Sequence, residues 1–274
     1  MNIDTTIMLS SGTRIPVLGL GVFKAYDDTY TAVRQALDAG YRHIDTAKVY
    51  ENEEQVGKAI KDSGIDREQI FVTTKLWTDA MRSRRVAGAL ENSLRLLDMD
   101  YVDLYLMHWP LREAEQNAYV YSEIEKLRDQ GKIRACGVSN FHIHHLKDLK
   151  KLTGLTPEVN QIEIHPYLPN DAVAEYCEKE NIAVESWSPL ARGKITNETK
   201  LLPLATKYGK TVPQIVIRWH LQRGFVVIPK SVKKHRIIEN AQVFDFSLSE
   251  EEMSFISSLN RNQRTGSNPD DHQF

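Results

Sequence analysis

Asp45, Tyr50, Lys75 and His108 are the residues of this chain whose types could together deliver a proton to an oxygen that is gaining negative charge. A free tyrosine phenol, with a pKa of about 10, gives up its proton poorly at neutral pH. A lysine ammonium beside the phenol oxygen stabilises the phenolate and lowers that value. A carboxylate holds the lysine charged and in place, and a histidine can hydrogen-bond the same substrate oxygen. Such a set suits protonation of a carbonyl oxygen. Reduction of that carbonyl also requires a hydride source, which points to a nicotinamide cofactor. Taken singly, Asp45 could cap a helix, Lys75 could snorkel from a strand end, and His108 and Tyr50 could be packing residues. The case rests on their falling together.

What brings them together is a repeating pattern. Short apolar runs at 17–21, 42–45, 70–76, 102–108, 133–138, 158–162, 182–187 and 225–228 read as strands, several of them apolar throughout, as parallel strands covered on both faces are. Helical patterns lie between them near 28–39, 52–62, 82–98, 118–130, 142–152, 170–180, 199–208 with 212–223, and 233–241. Eight strand–helix units at roughly 30 residues each suit right-handed crossovers and close most economically into an α/β fold, the (β/α)8 TIM barrel. Residues 7–15, around Gly12, read as an N-terminal β-hairpin; a C-terminal extra helix over 249–259 and a polar tail end the chain. The competing doubly wound sheet would place a glycine-rich phosphate loop after the first strand. Only Gly19-Leu-Gly21 is present, with Lys24 at the third glycine position, and the pair reads as a tight strand-to-loop turn. No linker or repeat interrupts the pattern, so residues 1–274 are expected to form one domain.

A barrel builds its active site at the C-terminal ends of its strands. Asp45 ends the second strand with Tyr50 on the loop beyond it, Lys75 ends the third, and His108 ends the fourth. Three adjacent strands thus aim the four side chains at one mouth. Glu51, Glu53 and Glu54 follow, suiting a helix start.

The bulk properties exclude little but agree. With 41% hydrophobic and 26% charged residues and a net charge of −2, nothing argues for a nucleic-acid or anionic-membrane surface. The start, Met1-Asn-Ile-Asp-Thr-Thr, lacks a signal-peptide pattern and no apolar run is long enough for a membrane span. Cys136 sits in an apolar strand-like run and Cys177 in a helix-like run; both read as reduced packing residues, so a cytoplasmic location is expected. No exposed apolar helix face demands a partner, and a monomer is expected.

The four residues also sit in longer motifs: Gly-Tyr-Arg-His-Ile-Asp45-Thr-Ala followed by Tyr50-Glu-Asn-Glu-Glu, Thr-Lys75-Leu-Trp, and Leu-Tyr-Leu-Met-His108-Trp-Pro. Further on come Gly-Val-Ser139-Asn140-Phe, Asn-Gln161-Ile-Glu-Ile-His-Pro-Tyr, Ser188-Pro-Leu and Ile-Pro-Lys230-Ser231-Val. Over essentially its whole length the chain resembles the aldo-keto reductases, in particular the compact microbial type that includes 2,5-diketogluconate and glyoxal reductases. The resemblance implies a proton-donor Tyr50, partners Lys75 and Asp45, and an orienting His108. It also implies an NADPH/NADP+ site. Ser139, Asn140 and Gln161 would hold the nicotinamide carboxamide, Trp187 would stack on the ring, and Ser188 and Leu190 would meet the pyrophosphate. Lys230, Ser231 and Arg236 would grip the 2′-phosphate, with Glu239 and Asn240 near the adenine. The cations Lys230, Lys233, Lys234 and Arg236 independently suit an extra phosphate.

Three positions depart from the family pattern. Ala191 follows Ser-Pro-Leu where glycine is usual, Tyr119 and Tyr121 lie where a tryptophan is common, and Lys48, expected to face solvent, stands where a small residue is common. Val22, Phe23, Trp77, His108 and Trp109 are expected to wall the mouth for a small-molecule carbonyl substrate, with the tail through Phe274 folding over it. The loop from Pro110 to about Asn117 and the one after the seventh strand read as short, which suggests an open site for small 2-oxoaldehydes or keto sugars. No metal is expected in the chemistry. A hydrolase using His43, Asp45, His108 and His165 lacks metal-like spacing and would place a lysine against the cation. The other alternative is a protein that binds NADPH without turnover.

Overall fold

A computed structural model describes residues 1–271. The hairpin forms first, β1 (Thr6–Met8) pairing antiparallel with β2 (Arg14–Pro16) and Ile7 opposite Ile15. Eight parallel strands follow in sequence order: β3 (Leu20–Gly21), β4 (His43–Asp45), β5 (Phe71–Leu76), β6 (Val102–Met107), β7 (Ile133–Ser139), β8 (Val159–Glu163), β9 (Ala183–Trp187) and β10 (Val226–Val227). Leu18 bridges Val227 and Gly21 bridges Lys230, both parallel, so the last strand returns to the first and the sheet closes. Each expected strand is present, and the fold is the (β/α)8 barrel.

Alternation along the strands sorts the side chains into two cores. Outward-facing residues pack on the helices in one large cluster. Inward-facing Phe71, Leu104, Leu106, Ala135, Val159 and Val226 form a second cluster, which Leu9 and Ile15 of the hairpin segment seal from below. Fully burying such aliphatic side chains is worth roughly 1.5–3 kcal/mol each, so the hairpin's contribution is a plug at the end of the barrel away from the strand C-termini. Above this floor the interior turns polar. His43 and Asp45 alternate along β4, Thr73 and Lys75 along β5, Gln161 and Glu163 along β8, and Glu185 and Trp187 along β9, with Asp45 in register with Thr73 and Gln161 with Glu185.

Gly19 and Gly21 do not make the tight turn read from the sequence. A Cβ at Gly19 would lie 2.8 Å from the His43 ring, and one at Gly21 would lie 3.1 Å from the Ile228 carbonyl. Their absent side chains make room for a buried imidazole and for the closing strand.

The helical pattern also holds, with two shifts. The expected 82–98 helix is two helices, Thr78–Arg82 and Val86–Leu97, separated by Arg84 at φ 55°. The helix after β6 starts at Ala114 rather than 118. Asn117, read as loop, is buried in its first turns, where its side chain accepts from Leu111 N–H (2.7 Å) and donates to Leu111 C=O (2.9 Å). Polar type suggested a loop there, whereas the side chain serves as a local backbone partner. The final helix, Glu250–Ser257, has the expected box, Ser249 accepting from Glu252 N–H and Glu252 accepting from Ser249 N–H. Among the described residues no helix is long and apolar enough to cross a membrane.

Candidate active site

Asp45 and Lys75 meet inside the barrel mouth because they end adjacent strands on the same inward parity. Lys75 Nζ donates to Asp45 Oδ1 (2.7 Å), Asp45 Oδ2 (2.8 Å) and the Thr46 carbonyl (2.8 Å). Tyr50 Oη stands at 3.4 Å from the same nitrogen. Tyr50 rides on a 3-10 turn, Lys48–Tyr50, ended by Glu51 at φ 56°. Asn52 pins that loop from behind, accepting from Thr46 Oγ1 (2.7 Å) and donating to the Val22 carbonyl (3.0 Å) and Thr29 Oγ1 (3.1 Å). Glu53, expected only as a helix-start charge, is buried and accepts from Thr74 Oγ1 at 2.6 Å. His108 sits edge-on to both Tyr50 and Trp77, with ring centroids 5.6 and 5.1 Å apart. All four residues named from the sequence are therefore in one place.

Their electrostatics differ from expectation in one respect. Burial pushes the Tyr50 phenol up to about 12; Lys75 pulls it down, and Asp45 and Glu185 push it up. Lys75 alone does not bring it below its free value, because the desolvation of the phenol is the larger influence. Burial works to lower the Lys75 ammonium, but Asp45, Tyr50 and Glu185 together outweigh it and hold the lysine above its usual range. His108 is held well below its usual value by burial and then by Lys75, so its imidazole is neutral. Its Nδ1 is buried with no hydrogen-bond partner among the described residues. The mouth thus holds a protonated phenol, a fixed ion pair and a neutral imidazole, a combination able to give a proton to an incoming oxygen.

Below this layer lies a polar network that the sequence reading missed. Gln161 Nε2 donates to Asp45 Oδ2 (2.7 Å) and to Glu185 Oε2 (3.0 Å). Glu185 Oε1 is 3.6 Å from His43 Nε2, which contacts Thr73 Oγ1 at 3.1 Å. Burial first, and the neighbouring Asp45 charge second, push the Glu185 carboxyl up to about 8. Burial holds His43 down at about 3. The signal was available: Glu185 shares inward parity with Trp187, and Glu163 with Gln161.

The residues expected to hold a nicotinamide form one connected wall. Asn140 ends β7 at φ 65°, a conformation asparagine tolerates better than most residues. From there its Nδ2 donates to the His108 carbonyl (2.9 Å) and Ser139 Oγ (3.0 Å), while its Oδ1 accepts from Trp187 Nε1 (2.9 Å). Ser139 Oγ donates to the Gln161 carbonyl at 2.8 Å. Ser188, Ala191 and Arg192 all have positive φ (49°, 49° and 52°), so backbone strain concentrates in this loop. The loop is longer than expected, running from Ser188 to the helix start at Leu202 in 3-10 turns anchored by buried Ala191, Ile195 and Leu201. Beyond β10, Ser231 is buried and bonds within its own loop, accepting from Lys233 N–H at 3.1 Å. Among the described residues none of Lys230, Lys233, Lys234 and Arg236 has a carboxylate within ion-pair distance. Four cations without an ion pair, of which Lys230 feels Asp28 at longer range, beside a buried hydroxyl fit a phosphate group. Glu239 accepts from Thr211 Oγ1 (2.7 Å), and Asn240 is buried on the same helix.

Of the expected walls, Phe23 is 43% exposed and stacks obliquely on Tyr50, with centroids 5.0 Å apart. Val22 is fully buried in the outer core and offers no surface to the mouth, since it lies on the opposite parity to Gly21. Trp77 lies beside His108, and Trp109 is largely buried. Lys48 is half-buried rather than solvent-facing, and its charge acts on Glu53. The tail does reach the rim. Thr265 and Gly266 donate backbone N–H groups to Glu163 (2.6 and 3.2 Å), and a Cβ at Gly266 would lie 2.3 Å from the Trp187 ring. Phe274 lies outside the described residues. A cleft of about 590 Å³ opens at the other end of the barrel, lined among others by Thr13, Arg42, Asp103 and Arg134, far from these groups.

A closed parallel barrel with Asp, Tyr, Lys and His at the ends of neighbouring strands defines a class, and the chain belongs to it: residues 18–261 match the aldo/keto reductase family. It is thus an oxidoreductase of the aldo-keto reductase type. It is 45% identical over 275 residues to the glyoxal reductase of Bacillus subtilis (strain 168), covering 100% of this chain and 99% of that one. It is 46% identical over 269 residues to the methylglyoxal reductase DkgA of Escherichia coli (strain K12), covering 97% of each. A Bombyx mori aldo-keto reductase solved in complex with NADP superposes with a TM-score of 0.91 at 36% identity, over 97% of this chain and 96% of that one.

Proposed function

We propose that this protein is an NADPH-dependent reductase of small aldehydes and ketones, 2-oxoaldehydes such as methylglyoxal foremost. The observation that carries the reading is a protonated Tyr50 beside the buried Lys75–Asp45 pair, with neutral His108 edge-on to it. When bound, the nicotinamide supplies a hydride to the carbonyl carbon. As the carbon–oxygen double bond becomes single, Tyr50 Oη gives its proton to the carbonyl oxygen. An alkoxide is a stronger base than a phenolate, so this transfer is downhill even from a phenol near 12. Lys75 stabilises the phenolate left behind, and Asp45 keeps Lys75 charged and aimed. His108, uncharged, donates a hydrogen bond to the substrate oxygen without competing as an acid.

Ser139, Asn140 and Gln161 would hold the carboxamide and Trp187 the ring face, with Ser188 and Leu190 at the pyrophosphate. Lys230 and Arg236, neither in an ion pair among the described residues, with Ser231 favour NADPH through its 2′-phosphate, and Glu239 and Asn240 would lie toward the adenine. The relatives named for glyoxal and methylglyoxal support small substrates, as does the short Trp109–Glu113 segment before the helix at Ala114. The test follows NADPH oxidation by absorbance across glyoxal, methylglyoxal, keto sugars and a bulky steroid ketone. The expected ranking in kcat/KM puts methylglyoxal above the steroid; a clear preference for the steroid, or no oxidation with any of them, overturns the reading.

A further inference from the structure

Three histidines and an aspartate gather outside the site described above. His142, His144 and His145 open the helix Ile143–Thr153 that follows β7, and Asp270 arrives from the C-terminal tail. One ligand-capable atom from each lies within 4.8 Å of all the others. We propose that these four side chains bind one divalent transition-metal ion of the zinc class, and that the ion pins the tail to the loop after β7.

The donor set is right for such an ion, since imidazole nitrogen with one carboxylate oxygen is a borderline-soft combination that suits zinc rather than magnesium or calcium. The spacing is right as well. Asp270 Oδ2 lies 2.9 Å from His142 Nδ1, while its Oδ1 lies 3.4 Å from His144 Nε2 and 3.8 Å from His145 Nε2, and the last two nitrogens are 3.1 Å apart. With metal–ligand bonds near 2.0–2.1 Å, the edge of a tetrahedral site is about 3.3 Å, so one-atom-per-residue separations of up to 4.8 Å must close by about 1.5 Å at most. Hydrogen bonds hold the network without metal: the His142 backbone N–H donates to His145 Nδ1 (3.1 Å), and Arg264 Nη2 donates to His142 Nε2 (3.0 Å). Binding of the ion displaces both contacts. His145 gives up its cap contact, and Arg264 turns toward Glu163 Oε2, already 4.0 Å from its other nitrogen.

The position gives the ion a consequence. Between Arg264 and Asp270 the tail holds Glu163 through Thr265 and Gly266 and lies against Trp187. A metal clamp at Asp270 fixes the far end of this strap, whose near end is already fixed at the rim.

The experiment uses untagged, chelator-stripped protein titrated with Co2+ alone, followed by displacement with Zn2+. The expected result is one equivalent of Co2+ with visible bands of tetrahedral intensity, bleached by one equivalent of Zn2+. His144→Ala and Asp270→Asn, both at exposed positions, each weaken binding at least roughly tenfold. Saturating Zn2+ slows tryptic cleavage after Arg264 in the wild type and not in Asp270→Asn. Circular dichroism of both variants matches the wild type, so loss of binding is read as loss of ligands. Absence of stoichiometric binding, undiminished affinity in Asp270→Asn, or binding without protection of the tail each overturns the proposal.

Discussion

Lys75 Nζ lies 2.7 and 2.8 Å from the two carboxylate oxygens of Asp45, both side chains being buried at the ends of adjacent strands. A buried pair of this kind costs desolvation on both sides, and removing one partner strands the other. Asp45→Asn and Lys75→Met are therefore each expected to cost about 3–5 kcal/mol of stability. The double variant should recover a large part of that loss while remaining inactive. Chemical denaturation of the four proteins measures the cycle; strictly additive losses would mean the two residues do not act as a pair.

Two buried groups should make stability depend on pH in opposite senses. Glu185, with its carboxyl near 8, stays protonated in the native state over a range where the unfolded chain, near 4.5, has lost the proton. The native state then binds more protons, so stability declines from pH 4.5 to 8, each unit being worth roughly 1.4 kcal/mol. His43 acts in the opposite sense. It is neutral in the fold down to about 3, whereas the unfolded residue charges below about 6.5, so stability is also lost as pH falls through that range. Glu185→Gln keeps the carbonyl that accepts from Gln161 and should flatten the alkaline limb while leaving the acid limb. Denaturation midpoints of both proteins measured from pH 3 to 9 check both limbs, the two slopes offsetting each other between 4.5 and 6.5 in the wild type.

Cofactor choice should reside in the basic loop beyond β10. Removing either Lys230 or Arg236 by alanine is expected to weaken NADPH binding by roughly 10–100-fold, since hydrogen bonds to charged groups contribute about 1.5–3 kcal/mol. NADH binding should change little. Fluorescence titration with both cofactors decides it, and an equal loss for both would place the 2′-phosphate elsewhere.

Gly266 has no room for a side chain, its Cβ position falling 2.3 Å from Trp187 Cη2. Gly266→Ala should push the tail or the indole aside at a cost of about 1–3 kcal/mol, and weaken cofactor binding if Trp187 is the stacking residue. Thermal unfolding and cofactor titration of this variant test the two effects separately.

Much of the fold was legible because parallel strands write themselves as apolar runs, and the four mouth residues interrupt or end such runs. Parity carried more information than the sequence reading used. Gly21 and Phe23 face one way and Val22 the other, and the same alternation marks Glu163 and Glu185 as interior once Gln161 and Trp187 are. Other features depend on three-dimensional packing. The upward push on Tyr50 comes from desolvation, which no spacing reports. The loop from Ser188 to Leu201 reads as short because its 3-10 turns carry no periodic signature. The sequence His142-Ile143-His144-His145 was in plain view, but its aspartate stands 128 residues from His142.

The most direct test is Tyr50→Phe, which removes one hydroxyl and keeps the ring against Phe23 and His108. NADPH binding is measured by fluorescence and methylglyoxal reduction by NADPH oxidation on the same preparation. With Tyr50 as the proton donor, kcat falls by roughly 100- to 10,000-fold while NADPH affinity holds within a few-fold. Retention of wild-type turnover with intact cofactor binding would contradict that role.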